Sequence, residues 1–290
     1  MKLLLILCFL PLLVQAQWHD TLQQNQFRRL KIQTMEKYES IQRNDKTSEP
    51  KLISVAYINP LGYITQVLNH SSCAQPSLQY ENTYHLDSIL VETQVPGIGP
   101  GGLTSVMKYT YLPNGSIDIG RMYFGDLLVS TIQHIYSEDN RLGKIKQTWH
   151  PDTLTYNYKG TEEKSFVYNE RNQLIEMQEK RRINGLTTKD VYQYIYDLQG
   201  NIIETYIRTK QINTRTFLEK RTYDQQNRLI EEERYYQHKF INKKGKDLWS
   251  LQPCEVIKKK WTYNDRGLID KEYRRETEER TVIISYSYKP

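Results

Sequence analysis

The sequence predicts an all-β chain, built as an elongated single twisted antiparallel sheet or solenoid of consecutive β-hairpin repeats. Three observations predict it. A tyrosine-centred segment recurs, with anchors at Tyr84, Tyr111, Tyr136, Tyr168, Tyr196, Tyr223 and Tyr263, plus one centred on Ile58 and Gly62. Four residues after most anchors stands Gly or Asn. The segments before and after are rich in aromatic and β-branched residues. About eight repeats at a period of about 27 residues suggest an array in which each unit buries its apolar surface only against its neighbours.

The turns justify the hairpins. Gly115, Gly200 and Gly267, or Asn140, Asn172 and Asn227, occupy the slot four residues after the anchor. These are the two residue types that tolerate left-handed backbone. Asn169, Asp197, Asp224 and Asn264 directly follow the tyrosine and suit the first position of a type I turn. A type I turn closed by a left-handed residue makes a hairpin loop with a bulge. Turns are therefore expected at 59–62, 112–115, 137–140, 169–172, 197–200, 224–227 and 264–267. The Tyr84 copy carries Ser88 in the left-handed slot and is expected to turn differently.

The strands are unusual in their chemistry. Tyrosine outnumbers phenylalanine 23 to 6. A closed core would strand many phenolic hydroxyls, whereas a thin sheet leaves them in water. In Leu229-Ile230-Glu231-Glu232-Glu233-Arg234-Tyr235 both alternation faces carry charge, unlike a sheet packed hard on one side. Glu232 is accordingly expected at the surface, and Lys220 is expected opposite Glu231.

The segments Tyr196-Asp197-Leu198-Gln199-Gly200-Asn201-Ile202-Ile203 and Tyr223-Asp224-Gln225-Gln226-Asn227-Arg228-Leu229-Ile230 resemble the YD repeats of the Rhs family of bacterial proteins. The resemblance covers residues 54–288 and is closest from Tyr168 onward. It implies hairpins that spiral into an extended sheet, which in the large toxins of that family wraps a cargo. This chain has too few repeats for that, so a short stand-alone relative without a toxin domain is expected.

Residues 1–16 look like a signal peptide: Met1-Lys2, an apolar run from Leu3 to Val14, and Val14-Gln15-Ala16 as a cleavage site. Cys8 lacks the small preceding residues of a lipoprotein signal. Export to the periplasm, cell surface or medium is expected, with no transmembrane segment in the mature chain. Residues 17–50 form a polar N-terminal segment. Leu22, Phe27, Leu30, Met35, Tyr38 and Ile41 are spaced as on one helical face, so a helical cap from Asp20 to Arg43 and then a linker are expected. Residues 51–290 form the repeat domain. From Pro151 onward 27 Lys/Arg face 22 Asp/Glu, a salted surface that does not suit nucleic acid. Cys73 and Cys254 lie far apart in a straight array and are expected as free thiols unless the array curls round.

No motif carries chemistry. Gly97-Ile98-Gly99-Pro100-Gly101-Gly102 lacks the strand and helix of a dinucleotide site. The histidines and cysteines lack metal-ligand spacing, so no metal and no cofactor is expected. The composition points to a non-enzymatic scaffold or binding module of the bacterial envelope, contacting protein or glycan. Two alternatives stay open: an exported hydrolase of polysaccharide or peptidoglycan using an acidic pair, and an accessory or immunity-type partner of a secreted toxin. Candidate ligand-binding residues are the sheet tyrosines Tyr192, Tyr194, Tyr196 and Tyr223. To these the long insertion adds Lys243, Lys244, Lys246 and Trp249.

Overall fold

The computed structural model describes residues 23–290, apart from 44–45, 71–75, 87–88, 98–101, 151–159, 184, 210–215, 237–238, 242–246, 250–254 and 276–279. A short helix at 23–29 (α1) precedes β1 (Thr34–Arg43) and the two-residue β2 (Lys46–Thr47). Four hairpins follow: β3 (Lys51–Ile58) with β4 (Ile64–Asn69), β5 (Ser77–His85) with β6 (Ile89–Val95), β7 (Ser105–Tyr111) with β8 (Ile117–Phe124), and β9 (Leu127–Tyr136) with β10 (Leu142–Trp149). Next come β11 (Gly160–Tyr168) with β12 (Leu174–Ile183), β13 (Leu186–Tyr196) with β14 (Ile202–Thr209), and β15 (Thr216–Tyr223) with β16 (Leu229–Tyr236). A small separate hairpin, β17 (Lys239–Ile241) and β18 (Asp247–Trp249), interrupts the series. The chain ends with β19 (Glu255–Tyr263), β20 (Ile269–Arg275) and β21 (Arg280–Lys289).

The sheet is closed. Every strand of the main sheet runs antiparallel to its neighbours, and β1 pairs with β3 on one edge and along its whole length with β21 on the other. Setting aside β2, eighteen strands form one barrel. This overturns the elongated open sheet or solenoid expected from the repeats. The closing element is β1. Residues 34–43 are strand where a helix was expected, and the helix is confined to 23–29.

The turn chemistry explains the hairpins. The seven expected turns are present, each with the amide of the fourth residue donating to the carbonyl of the first at 2.8–3.2 Å. Gly62, Gly115, Gly200 and Gly267, and Asn140, Asn172 and Asn227, all have positive φ. In the Tyr84 hairpin the left-handed residue is Leu86. A register shift adjoins every turn, so that Tyr223 faces Leu229 while Thr222 faces Glu231. The bulge moves Lys220 opposite Glu233, two residues beyond the expected partner.

Each anchor tyrosine ties its hairpin to the one before. The hydroxyls of Tyr84, Tyr136, Tyr168, Tyr196, Tyr223, Tyr263 and Tyr288 donate to the carbonyls of Ile64, Ile117, Leu142, Leu174, Ile202, Leu229 and Ile269 at 2.7–3.1 Å. Tyr111 donates likewise to Leu90. The acceptor is always the residue that faces the previous anchor beside its bulge.

The seven expected turns lie at one rim of the barrel, and the two-residue turn between β8 and β9 lies at the other. At the turn rim α1 spans the seam between the first and last hairpins. Gln24 Nε2 donates to Leu61 O at 3.4 Å, and Gln26 Nε2 donates to Gly267 O at 3.1 Å. Phe27 and Ile32 pack with Met35, Ala56, Ile58, Val67 and Leu268 into an apolar cluster that Tyr286 and Tyr288 flank. A second cluster, Ile132, Ile145 and Phe166, lies farther round the wall.

Candidate functional site

Nearly all buried strand residues share one face of the sheet; Ser40, Val55, Val129 and Val191 are exceptions. Side chains converge on the concave face of a closed sheet and splay on the convex one. Lys164 and Glu179, each 3% exposed in a single-layered wall, therefore mark the inner face. Eighteen strands give a perimeter of about 86 Å, too wide for side chains alone to fill.

A Glu-x-Arg/Lys pattern recurs along the inner wall: Glu162 with Lys164, Glu179 with Arg181, Glu219 with Arg221, Glu232 with Arg234, and Glu272 with Arg274. Residues two apart on a strand share a face, so each pattern places opposite charges side by side. Across β11 and β12, Lys164 bridges Glu162 and Glu179 at 3.2 Å each, and Arg181 reaches Glu162 at 3.3 Å. Across β15 and β16, Arg221 bridges Glu219 at 3.0 Å and Glu232 at 3.4 Å. Arg234 bridges the same two carboxylates at 3.0 and 2.8 Å. These two quartets replace an apolar core along the wall. Buried charges of this kind are tolerated only when paired. Glu232, expected at the surface, is 5% exposed.

Each quartet splits its two carboxyls. Burial raises Glu162 above the usual carboxylate range, against the pull of Lys164. Burial also acts on Glu179, but Lys164 and Arg181 outweigh it and hold that group low. Glu219 is raised by burial against Arg221. For Glu232 burial is outweighed by a hydrogen bond with Glu219 and by Arg234 and Arg221, and its carboxyl is lowered. The raised member also faces a buried oxygen that has no hydrogen-bond partner: Gln147 Oε1 opposite Glu162, and Thr205 Oγ1 opposite Glu219. A protonated carboxyl is the donor such an oxygen needs.

Tyr192, Tyr194 and Tyr196 follow one another on the inner face of β13, between the two quartets. Burial pushes the phenols of Tyr192 and Tyr194 up, and that of Tyr196 to about 12. Tyr196 and Tyr223 spend their hydroxyls on main-chain carbonyls and serve the wall itself. Trp249 lies on the β17–β18 hairpin, outside the barrel wall, and is not part of the β13 tyrosine row. Lys243, Lys244, Lys246, Cys73 and Cys254 lie outside the described residues, as do the signal sequence and most of the Gly97–Gly102 loop. Among the described residues no three His, Cys, Asp or Glu side chains gather as a metal site. The ion quartets escaped the sequence reasoning, although the repeated Glu-x-Arg/Lys spacing was their signal.

No protein-family model matches the chain, and no curated protein does. Among solved structures, the chain is similar to a TcdB2–TccC3–Cdc42 assembly, at 11% identity and a TM-score of 0.42, over 84% of this chain and 14% of that one. It is similar to the Photorhabdus luminescens Tc holotoxin pore at 12% identity and a TM-score of 0.29, over 81% of this chain and 15% of that one. A porin-like protein from Bacteroides uniformis matches at 10% identity and a TM-score of 0.39, over 89% of this chain and 98% of that one. The chain thus spans about one seventh of the toxin chains it resembles. These likenesses are distant, and none assigns a family.

Proposed function

We propose that the protein is an exported binding barrel that holds a protein or glycan partner against its inner wall without chemical turnover. The observation that carries this is the position of Tyr192 and Tyr194. They stand between two charge quartets, on the concave face, with no hydrogen bond from their hydroxyls to any described residue. Rigid rings beside fixed charges and free hydroxyls suit a polar, extended partner such as a glycan chain or peptide.

No described helix is long and apolar enough to cross a membrane. Strands cross by a different pattern, an apolar outer band. Here both faces carry charge in mid-strand: Glu162, Lys164 and Glu179 on the inner face, and Glu163 and Lys180 on the outer. This supports a barrel that works in water after export.

A glycan array and a pull-down with the mature protein test the proposal. Tyr192→Phe with Tyr194→Phe, which removes the two hydroxyls and keeps the rings in place, should abolish capture. Retained capture by that variant would overturn the inner-wall site.

The hydrolase alternative draws support from the split carboxyl pairs, since a raised and a lowered carboxyl are the ingredients of acid–base catalysis. Against it, the quartet carboxylates are engaged by cations of the wall. Release of reducing ends from polysaccharide, lost in Glu219→Gln, would favour this alternative.

A further inference from the structure

The outer wall follows a rule of charge matching. Lys108 faces Glu92, Lys146 faces Glu163, Lys220 and Lys258 both face Glu233, and Lys260 faces Glu231. Lys180 of β12, however, stands directly opposite Lys189 of β13, and like charges opposite one another destabilise a sheet. Like charges also meet at Lys108 opposite Arg121 and at Lys258 opposite Arg275, but there Lys108 bridges Glu92 and Lys258 bridges Glu233. Both side chains are exposed. Glu163 adjoins Lys180 on its other side, but its carboxylate bridges Lys144 at 3.1 Å. Among the described residues neither Lys180 nor Lys189 pairs with a carboxylate. The two lysines border a shallow outer groove of about 350 Å³, to which Ser165 and Thr187 contribute hydroxyls.

We infer that this groove is a binding site for an oxyanion group of the phosphate or sulfate type. Two ammonium groups on adjacent strands, about 5 Å apart at their α-carbons, flank one tetrahedral anion from two sides. The hydroxyls of Ser165 and Thr187 can donate to its remaining oxygens. Glu163 also lines the groove but is held by Lys144, and a bound anion would offset the Lys180–Lys189 repulsion. The site is on the opposite face from the tyrosines and does not depend on the inner-wall proposal.

Calorimetric titration of the mature protein with inorganic pyrophosphate, at constant ionic strength, tests this. Saturable binding is expected, weakened about tenfold in K180Q/K189Q and kept in K180R/K189R. The double variant K108Q/K146Q, which removes matched lysines, should bind as the parent does. K180Q/K189Q should also melt no lower than the parent, because it relieves a like-charge contact. No saturable binding, or equal weakening by K108Q/K146Q, would overturn the inference. Sedimentation with vesicles of phosphatidylglycerol in phosphatidylcholine, and gel shift with dextran sulfate, distinguish a lipid from a polysaccharide source. Loss of binding in K180Q/K189Q in either arm supports the site and names its source, and loss in neither contradicts it.

Discussion

The hydroxyl of Tyr196 donates to the main-chain carbonyl of Leu174 at 2.7 Å, reaching from one hairpin to the bulge of the previous one. The same tie recurs around the wall, so the anchor tyrosine acts as a clasp between repeats. Removing one clasp should be felt as a lost hydrogen bond. Tyr196→Phe should cost about 1 kcal/mol in urea unfolding, and Tyr192→Phe less than about 0.5 kcal/mol, because its hydroxyl ties no described residue. Equal costs would mean that the ties do not hold the repeats together.

The left-handed turn slot gives a second expectation. Gly115 has open space around an added Cβ, so Gly115→Asn should change stability by less than about 0.5 kcal/mol. At Gly62 an added Cβ would lie 2.4 Å from Gln24 O in the backbone of α1. Gly62→Asn should cost more than about 2 kcal/mol, since helix and turn must separate. The φ values of the two glycines are similar, so only the helix distinguishes them. Similar melting points would show that α1 does not sit on the first turn.

The split carboxyls predict opposite pH trends. The lowered Glu232 contributes stability above the ordinary carboxylate value of 4.5 and loses it as pH falls. The raised Glu219 contributes most below that value and loses its contribution as pH rises through its folded value. Glu232→Gln should therefore cost about 3 kcal/mol at pH 7, where it breaks a buried ion network, and less at pH 4. Glu219→Gln should cost less than Glu232→Gln at pH 7, and its own cost should grow on acidification. Denaturant midpoints at both pH values decide it, and parallel trends would refute the split.

How much of this was legible in the sequence depends on range. Turn residues act locally, so Asn169 with Asn172 and Asp197 with Gly200 marked their turns unaided. The bulge did not announce its register, and Lys220 was displaced from Glu231 to Glu233. Closure was hidden because β1 has no hairpin partner in sequence: Met35, Tyr38 and Ile41 fall at helical spacing, while the strand is held by β3 and β21 from opposite ends of the chain. Burial of Glu232 was hidden for a related reason. A single charge reads as surface until the arginines of two strands are seen around it. Tyr196 and Tyr223 were legible as tyrosines of the sheet, but their use as clasps requires the neighbouring bulge.

Closure of the barrel is the central claim, and the seam between β1 and β21 tests it most directly. Glu36 and Ser287 are paired across that seam, both on the outer face. Spin labels at these two positions, with Cys73 and Cys254 replaced by serine, report their separation by double electron–electron resonance. A closed wall predicts a distance below about 20 Å, since paired strands lie about 5 Å apart. An open sheet of the same strands would hold the labels about 80 Å apart and would contradict the account.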